Sequence, residues 1–248
     1  MTTTSTRAVE SLTIVFPCYN DELSICDLVR TAKKVAAECV DCFEIIVVND
    51  GSSDGSGRAL DNLLDEVPQL RVIHHQHNRG YGGALLSGFA AASKQWVFYT
   101  DGDGQYDASE LANLVAVATP EIDVVQGFKV GRGDSWYRKV IGRTYHHIVK
   151  RAFDLPFRDT DCDFRLMRRT MLQSLKLTRT SGVICVEMTR KMRDVGAPFV
   201  EVPVSHHFRP HGHSQFFRLP QISRAALQLG KLWFDVVVRG KRASKLVS

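Results

Sequence analysis

Trp96-Val97-Phe98-Tyr99-Thr100-Asp101-Gly102-Asp103-Gly104-Gln105 sets an apolar run directly against two carboxylates one residue apart. Trp96–Tyr99 has the composition of a short buried strand. Two carboxylates at the end of such a strand can aim oxygen atoms into one cleft, and the glycines between them let a ligand approach the backbone closely. Hard oxygen ligands suit Mg2+ or Mn2+, which keep positions open for substrate phosphates. A D-x-D by itself is more often a solvated acidic turn. The apolar strand that runs into this one favours the metal reading.

Upstream, the same arrangement recurs. Leu12–Phe16 is predicted to be a strand and leads into Pro17-Cys18-Tyr19-Asn20-Asp21-Glu22. Glu22–Cys39 has helical spacing. Phe43–Val48 is a second strand leading into Asn49-Asp50-Gly51-Ser52-Ser53-Asp54-Gly55, and a helix follows to about Glu66. Leu70–His74 is a third strand, and Gly80–Ser93 a helix of small residues. Strands alternating with helices, with near-continuous apolar strands, predict a mostly parallel sheet covered on both faces. Ligands of such sheets lie beyond the carboxyl ends of the strands, where these polar loops fall. Asp50 is placed to accept from a nucleobase N–H or a ribose hydroxyl. Helix capping is its competing role, for which Asp54 is better placed. Tyr19 suits packing near a base and Glu22 a ribose hydroxyl; the competing reading is a turn with acids in a helix's first turn. Arg79-Gly80-Tyr81-Gly82-Gly83-Ala84 has a G-x-G, but Leu85 replaces the third glycine and the motif follows the third strand, which argues against a dinucleotide fold.

The second half is less regular. Ile122–Gln126 is a predicted strand, Asp134–Phe153 a helix rich in Arg, Lys and His, and Asp154–Asp163 an acidic loop. Gly182–Asp194 is a predicted helix and Pro198–Val204 a strand. A basic loop containing Gly212 leads to a last helix over Phe217–Arg239. There Ile222, Ala226, Leu229, Trp233 and Val237 fall on one stripe, with Arg218, Arg224, Lys231 and Arg239 able to flank it. A basic amphipathic helix carrying Trp reads as an interfacial membrane helix. The same stripe also suits packing on the domain or a homodimer contact.

The 248 residues are 44% hydrophobic and 24% charged, ordinary for a globular enzyme, and the net charge is +5. From Arg239 the chain ends RGKRASKLVS without an acid; such a run by itself suits a nucleic acid, an anionic membrane or simple solubility, and the reading of the whole chain expects a membrane surface and no nucleic acid. No signal peptide and no spanning apolar stretch are expected, which predicts a cytoplasmic protein. The six cysteines are irregularly spaced and read as reduced thiols. Cys39 and Cys42 form a C-x-x-C with no second pair to complete a zinc site, so they are read as thiols between a helix and a strand.

Taken in order, Pro17–Glu22, Asn49–Gly55, Asn78–Gly82 and Asp101–Gln105 resemble the P-x-Y-N-x-E, N-D-G-S-x-D-G, N-x-G-x-G and D-G-D-G-Q motifs of glycosyltransferase family 2. Asp161-Cys162-Asp163-Phe164-Arg165-Leu166 and Arg209–Gln215 resemble segments of its dolichyl-phosphate mannosyltransferase and polyprenyl-phosphate glycosyltransferase group. The resemblance covers about residues 11–216. It implies an α/β GT-A fold over 11–216, a flexible tail over 1–10 and an amphipathic basic segment over 217–248. It implies that Asp101, Asp103 and Gln105 bind Mg2+ or Mn2+, and that Pro17, Tyr19, Glu22, Val48 and Asp50 hold the nucleoside. Arg132 or Arg138, with Arg209, would hold phosphates; Asn78, Gly80, Gly102 and Gln215 fall in the same donor-binding motifs. Gln215 stands where the group carries lysine, which removes a charge that His211 and His213 replace in part.

The implied reaction is inverting transfer of a sugar from GDP-mannose or a UDP-hexose to a polyprenyl phosphate, at the cytoplasmic face of a membrane. A phosphate acceptor is already ionised and needs no base. A hydroxyl acceptor on a glycan or glycolipid would need one, with Asp161 and Asp163 as candidates. Their competing role is pairing with Arg165 or Arg168. A binding protein that senses nucleotide sugars without turnover is the reading from another class, and the intact Asp101/Asp103 pair argues against it.

Overall fold

The computed structural model describes residues 7–130, 147–207 and 219–239. Among these, seven strands form one sheet in the order β3-β2-β1-β4-β6-β5-β7. The strands are β1 (Ser11–Cys18), β2 (Cys42–Asn49), β3 (Leu70–His74), β4 (Trp96–Thr100), β5 (Val124–Val130), β6 (Phe164–Arg168) and β7 (Phe199–Ser205). The helices include α1 (Ile25–Cys39), α2 (Ser56–Leu63), α3 (Tyr81–Ala91), α4 (Leu111–Val117), α5 (Arg169–Ser174), α6 (Ile184–Asp194) and α7 (Leu219–Trp233), and residues 147–153 are helical as well. β1 to β4 are mutually parallel, β6 is antiparallel to both β4 and β5, and β7 runs parallel to β5.

The central strands carry no polar alternation because both of their faces are covered. β1 shows why. Leu12, Ile14 and Phe16 pack with α1, α2 and α4 through Ile25, Val29, Leu60, Leu111 and Leu114. Val15 points the other way, into Leu85, Phe89, Met171, Ile184 and Met188 of α3, α5 and α6. Contact on that second face is close: a Cβ on Gly88 would stand 2.4 Å from Val15 Cγ1. Gly88→Ala is therefore expected to cost about 1–3 kcal/mol, read as a lower urea midpoint at unchanged slope.

No strand is predicted at Phe164–Arg168 from the sequence, and no helix at Arg169–Ser174; the structure has both. The apolar pattern is hidden by two arginines that the fold accommodates. Arg165 is fully buried, with its Nε on Gln126 and its guanidinium 5.7 Å from the Tyr99 ring and 5.6 Å from the Phe157 ring. Arg168 lies 4.5 Å over the Trp96 ring and pairs with Asp123 at 3.2 Å.

The C-terminal helix departs from its expected stripe. Leu229 and Val237 do face one way, but with Leu232 they face inward, packing on Val149, Phe153, Val183 and Val186. Trp233 is 40% exposed and donates its ring N–H to Ala152 O at 3.0 Å. Leu227 and Phe234, spaced seven apart on the outward face, are exposed. Among the described residues no helix is long and apolar enough to cross a membrane. Cys39 and Cys42 are free thiols at the end of α1 and the start of β2.

Candidate active site

The loops after β1, β2, β3 and β4 converge at one edge of the sheet and are tied to one another. Asn20 adopts φ 58°, a left-handed conformation that asparagine tolerates. Its Oδ1 accepts from Ser53 N at 2.8 Å and Asp54 N at 3.3 Å, while its own N–H donates to Ser52 Oγ at 3.0 Å. Asp21 N donates to Ser56 Oγ at 3.0 Å. Glu22 Oε2 accepts from Gly55 N at 3.0 Å, so its carboxylate lies against the start of α2. Asp54 Oδ1 accepts from Ser56 N at 3.0 Å, but the N-cap position of α2 is Gly55, so Asp54 stands one residue before the cap expected of it. Gly102 is required by close approach, since a Cβ there would stand 2.6 Å from Pro17 O.

Asp50 is buried and holds the β3 loop. Its Oδ1 accepts from Arg79 N at 2.8 Å and lies 2.6 Å from His75 Nδ1; its Oδ2 accepts from Gly80 N at 2.9 Å. Asn78 Oδ1 also accepts from Gly80 N, at 2.9 Å. Tyr19 is 40% exposed at the same edge. The Val48 side chain lies in the core, so contact between Val48 and a ligand can only be through its backbone.

Three carboxylates gather beyond β4. Asp101 Oδ1 accepts from the Tyr81 hydroxyl at 2.7 Å. Asp103 is 7% exposed and accepts from Gln105 N at 3.0 Å. Asp163, just before β6, accepts from the Tyr99 hydroxyl at 3.2 Å and the Cys185 thiol at 3.1 Å. Burial, then the charges of Asp163 and Asp103, push the Asp101 carboxyl well above the usual carboxylate range, against the weaker pull of Tyr81 and Lys129. The hard oxygen donors of these carboxylates, and their repulsion of one another, fit a divalent cation. Among the described residues no group of three or more His, Cys, Asp or Glu is arranged to cage a metal by itself. Mg2+ and Mn2+ are commonly held by one or two carboxylates plus substrate phosphates. Gln105 Nε2 donates to His207 O at 3.1 Å. His207 N donates back to Gln105 O at 2.8 Å.

The backbone carbonyl of Asp161 accepts from Lys129 Nζ at 2.5 Å. Arg132, Arg138, Arg209 and Gln215 lie outside the described residues. Tyr81, Tyr99, His75 and Cys185 are site residues that the sequence pattern does not single out. His75 directly follows β3, which is the one signal that could have found it; the others reach the cluster from helices or a strand interior.

A four-strand parallel half joined through a reversed strand to a second half, with a D-x-D where they meet, defines a GT-A-type glycosyltransferase. The chain belongs to glycosyl transferase family 2, whose family model matches residues 13–176. Among its curated relatives is the undecaprenyl-phosphate 4-deoxy-4-formamido-L-arabinose transferase of Sodalis glossinidius, 28% identical over 94% of this chain and 69% of that one. The transferase of the same name from Pseudomonas aeruginosa is 29% identical over 92% of this chain and 65% of its own length. Glucosyl-3-phosphoglycerate synthase from Mycobacterium tuberculosis, solved with Mn2+, UDP and glucosyl-3-phosphoglycerate, superposes with a TM-score of 0.69 at 18% identity, covering 91% of this chain and 79% of that one. The same synthase with Mg2+ and UDP gives 0.68 at 16% identity, over 91% and 79%.

Proposed function

We propose that this glycosyltransferase moves a sugar from a nucleoside diphosphate sugar to a polyprenyl phosphate, with inversion and with Mg2+ or Mn2+ at Asp101, Asp103 and Gln105. The observation that carries this reading is the gathering of Asp101, the buried Asp103 and Asp163 beyond the end of β4. The lipid acceptor is supported by the names of the curated relatives.

Tyr19, Glu22 and Asp50 line the edge that receives the nucleoside. Arg209, with Arg132 or Arg138, takes the diphosphate. When bound, the metal supplies positive charge against the negative charge that grows on the leaving diphosphate. The acceptor phosphate attacks as an anion, so no residue has to remove a proton from it. The alternative, a hydroxyl acceptor, is favoured by one observation: Asp163 is oriented by Tyr99 and Cys185 beside Asp101, where a base would stand. The decisive experiment measures release of free nucleoside diphosphate from GDP- and UDP-sugars with and without lipid phosphate. Release that depends on lipid phosphate is expected; release driven only by a glycan or glycolipid hydroxyl would transfer the assignment to that acceptor. Binding without any release would leave a sensor.

Access to a lipid phosphate requires the surface of a bilayer. Leu227, Phe234, Trp233 and Ile148 are exposed together with Lys231, Arg239 and Arg151. We assign this outward face of α7, and not the inward Leu229/Leu232 face, to the membrane. Each basic residue near an anionic leaflet contributes about 1 kcal/mol, and the attraction fades with salt. Leu227→Ser/Phe234→Ser is expected to abolish low-salt flotation with anionic liposomes while leaving donor binding unchanged. Removal of the whole helix would be a poorer test, because Leu232 and Val237 are part of the core.

A further inference from the structure

The Asp101 carboxylate owes its orientation to a helix whose start is itself clamped. The hydroxyl that meets Asp101 belongs to Tyr81, the first residue of α3. Residues 178–181 cross that first turn as a strap. Gly83 N donates to Thr180 O at 3.1 Å. A Cβ on Gly80 would stand 2.6 Å from Thr180 O, and one on Gly82 would stand 2.4 Å from Arg179 O. The glycines of this loop thus serve a backbone-to-backbone contact. The strap is anchored in turn by buried Glu187 of α6, which accepts from Thr178 N at 3.0 Å, Arg179 N at 2.9 Å and Thr178 Oγ1 at 2.9 Å. Arg179 Nη2 reaches Asp235, beyond the end of α7, at 2.7 Å.

We propose that Tyr81 is a positioning residue for the metal-binding carboxylate of Asp101. By occupying Oδ1 it presents Oδ2 to the cation, and the 178–181 strap fixes where the hydroxyl stands. The proposal rests on the metal reading above. A carboxylate ligand without its supporting hydrogen bond samples orientations in which it cannot bind, and loss of such a partner typically lowers metal affinity about 10–100-fold. Tyr81→Phe removes the hydroxyl and keeps the ring.

The test measures Mn2+ binding by the electron paramagnetic resonance signal of free Mn2+, for the full chain, Tyr81→Phe and Asp103→Ala. Each is titrated with Mn2+ alone and again with UDP and with GDP, and melting temperatures are recorded alongside. The expected result is Mn2+ affinity at least about tenfold weaker in Tyr81→Phe at an unchanged melting temperature. Activity should then fall more at limiting than at saturating Mn2+. Unchanged affinity in Tyr81→Phe, when Asp103→Ala loses binding, overturns the role of Tyr81 and leaves the metal site standing, whatever happens to the melting temperature. Equal binding by the unmodified chain and Asp103→Ala overturns both.

Discussion

Asp103→Ala is expected to lower turnover of the nucleotide-sugar donor by about two to three orders of magnitude, the range seen when one preorganised charge-stabilising group is removed from an active site. The chain should stay folded. The like charge of Asp103 pushes the Asp101 carboxyl upward, so its replacement removes a repulsive neighbour and not an apolar contact. The hydrogen bond it accepts from Gln105 N at 3.0 Å lies within one loop turn. The measurement is steady-state release of nucleoside diphosphate, with the melting temperature as a control on folding. Excess chelator should bring the unmodified enzyme to the same low rate. Full activity in the variant, or full activity in chelator, would remove the metal from the mechanism.

Arg209→Ala is expected to have the next largest effect, a fall in kcat of roughly 100-fold, corresponding to about 3 kcal/mol of transition-state stabilisation. The charge on a leaving diphosphate is larger in the transition state than in the bound donor, so an arginine that contacts it should change kcat more than KM. Arg209 follows closely on His207, which is bonded in both directions to Gln105 of the D-x-D loop. Lysine should restore only part of the rate, because an ammonium cannot form the planar fork of a guanidinium with phosphate oxygens. Unchanged kcat in Arg209→Ala would make that arginine structural and shift the phosphate contact to Arg132 or Arg138.

The parallel half of the fold was legible because its signals are local. Leu70–His74 is bounded as predicted, and β1, β2 and β4 extend the predicted strands by a residue or two. Buried parallel strands are short apolar runs, and the loops after them are marked by Asn, Asp and Gly in sequences such as Asn49–Gly55. The D-x-D was legible for the same reason. β6 was not, because Arg165 and Arg168 break its apolar run. Those side chains are accommodated by Gln126, Tyr99, Phe157, Trp96 and Asp123, all distant in sequence.

The sequence by itself determined the class of sheet and the polar loops that follow its parallel strands, since strand periodicity and strand-end loops are written in consecutive residues. Only the tertiary structure decided what the carboxylates beyond β4 lean on. Tyr81 meets Asp101 because residues 178–181 pin the start of α3, and Asp163 joins the cluster because β6 runs against β4. It also decided which face of α7 is turned outward, because Leu232 and Val237 find a core in Val149, Phe153 and Val186. An amphipathic spacing names a stripe, but the surface it covers depends on which neighbours the rest of the chain brings to it.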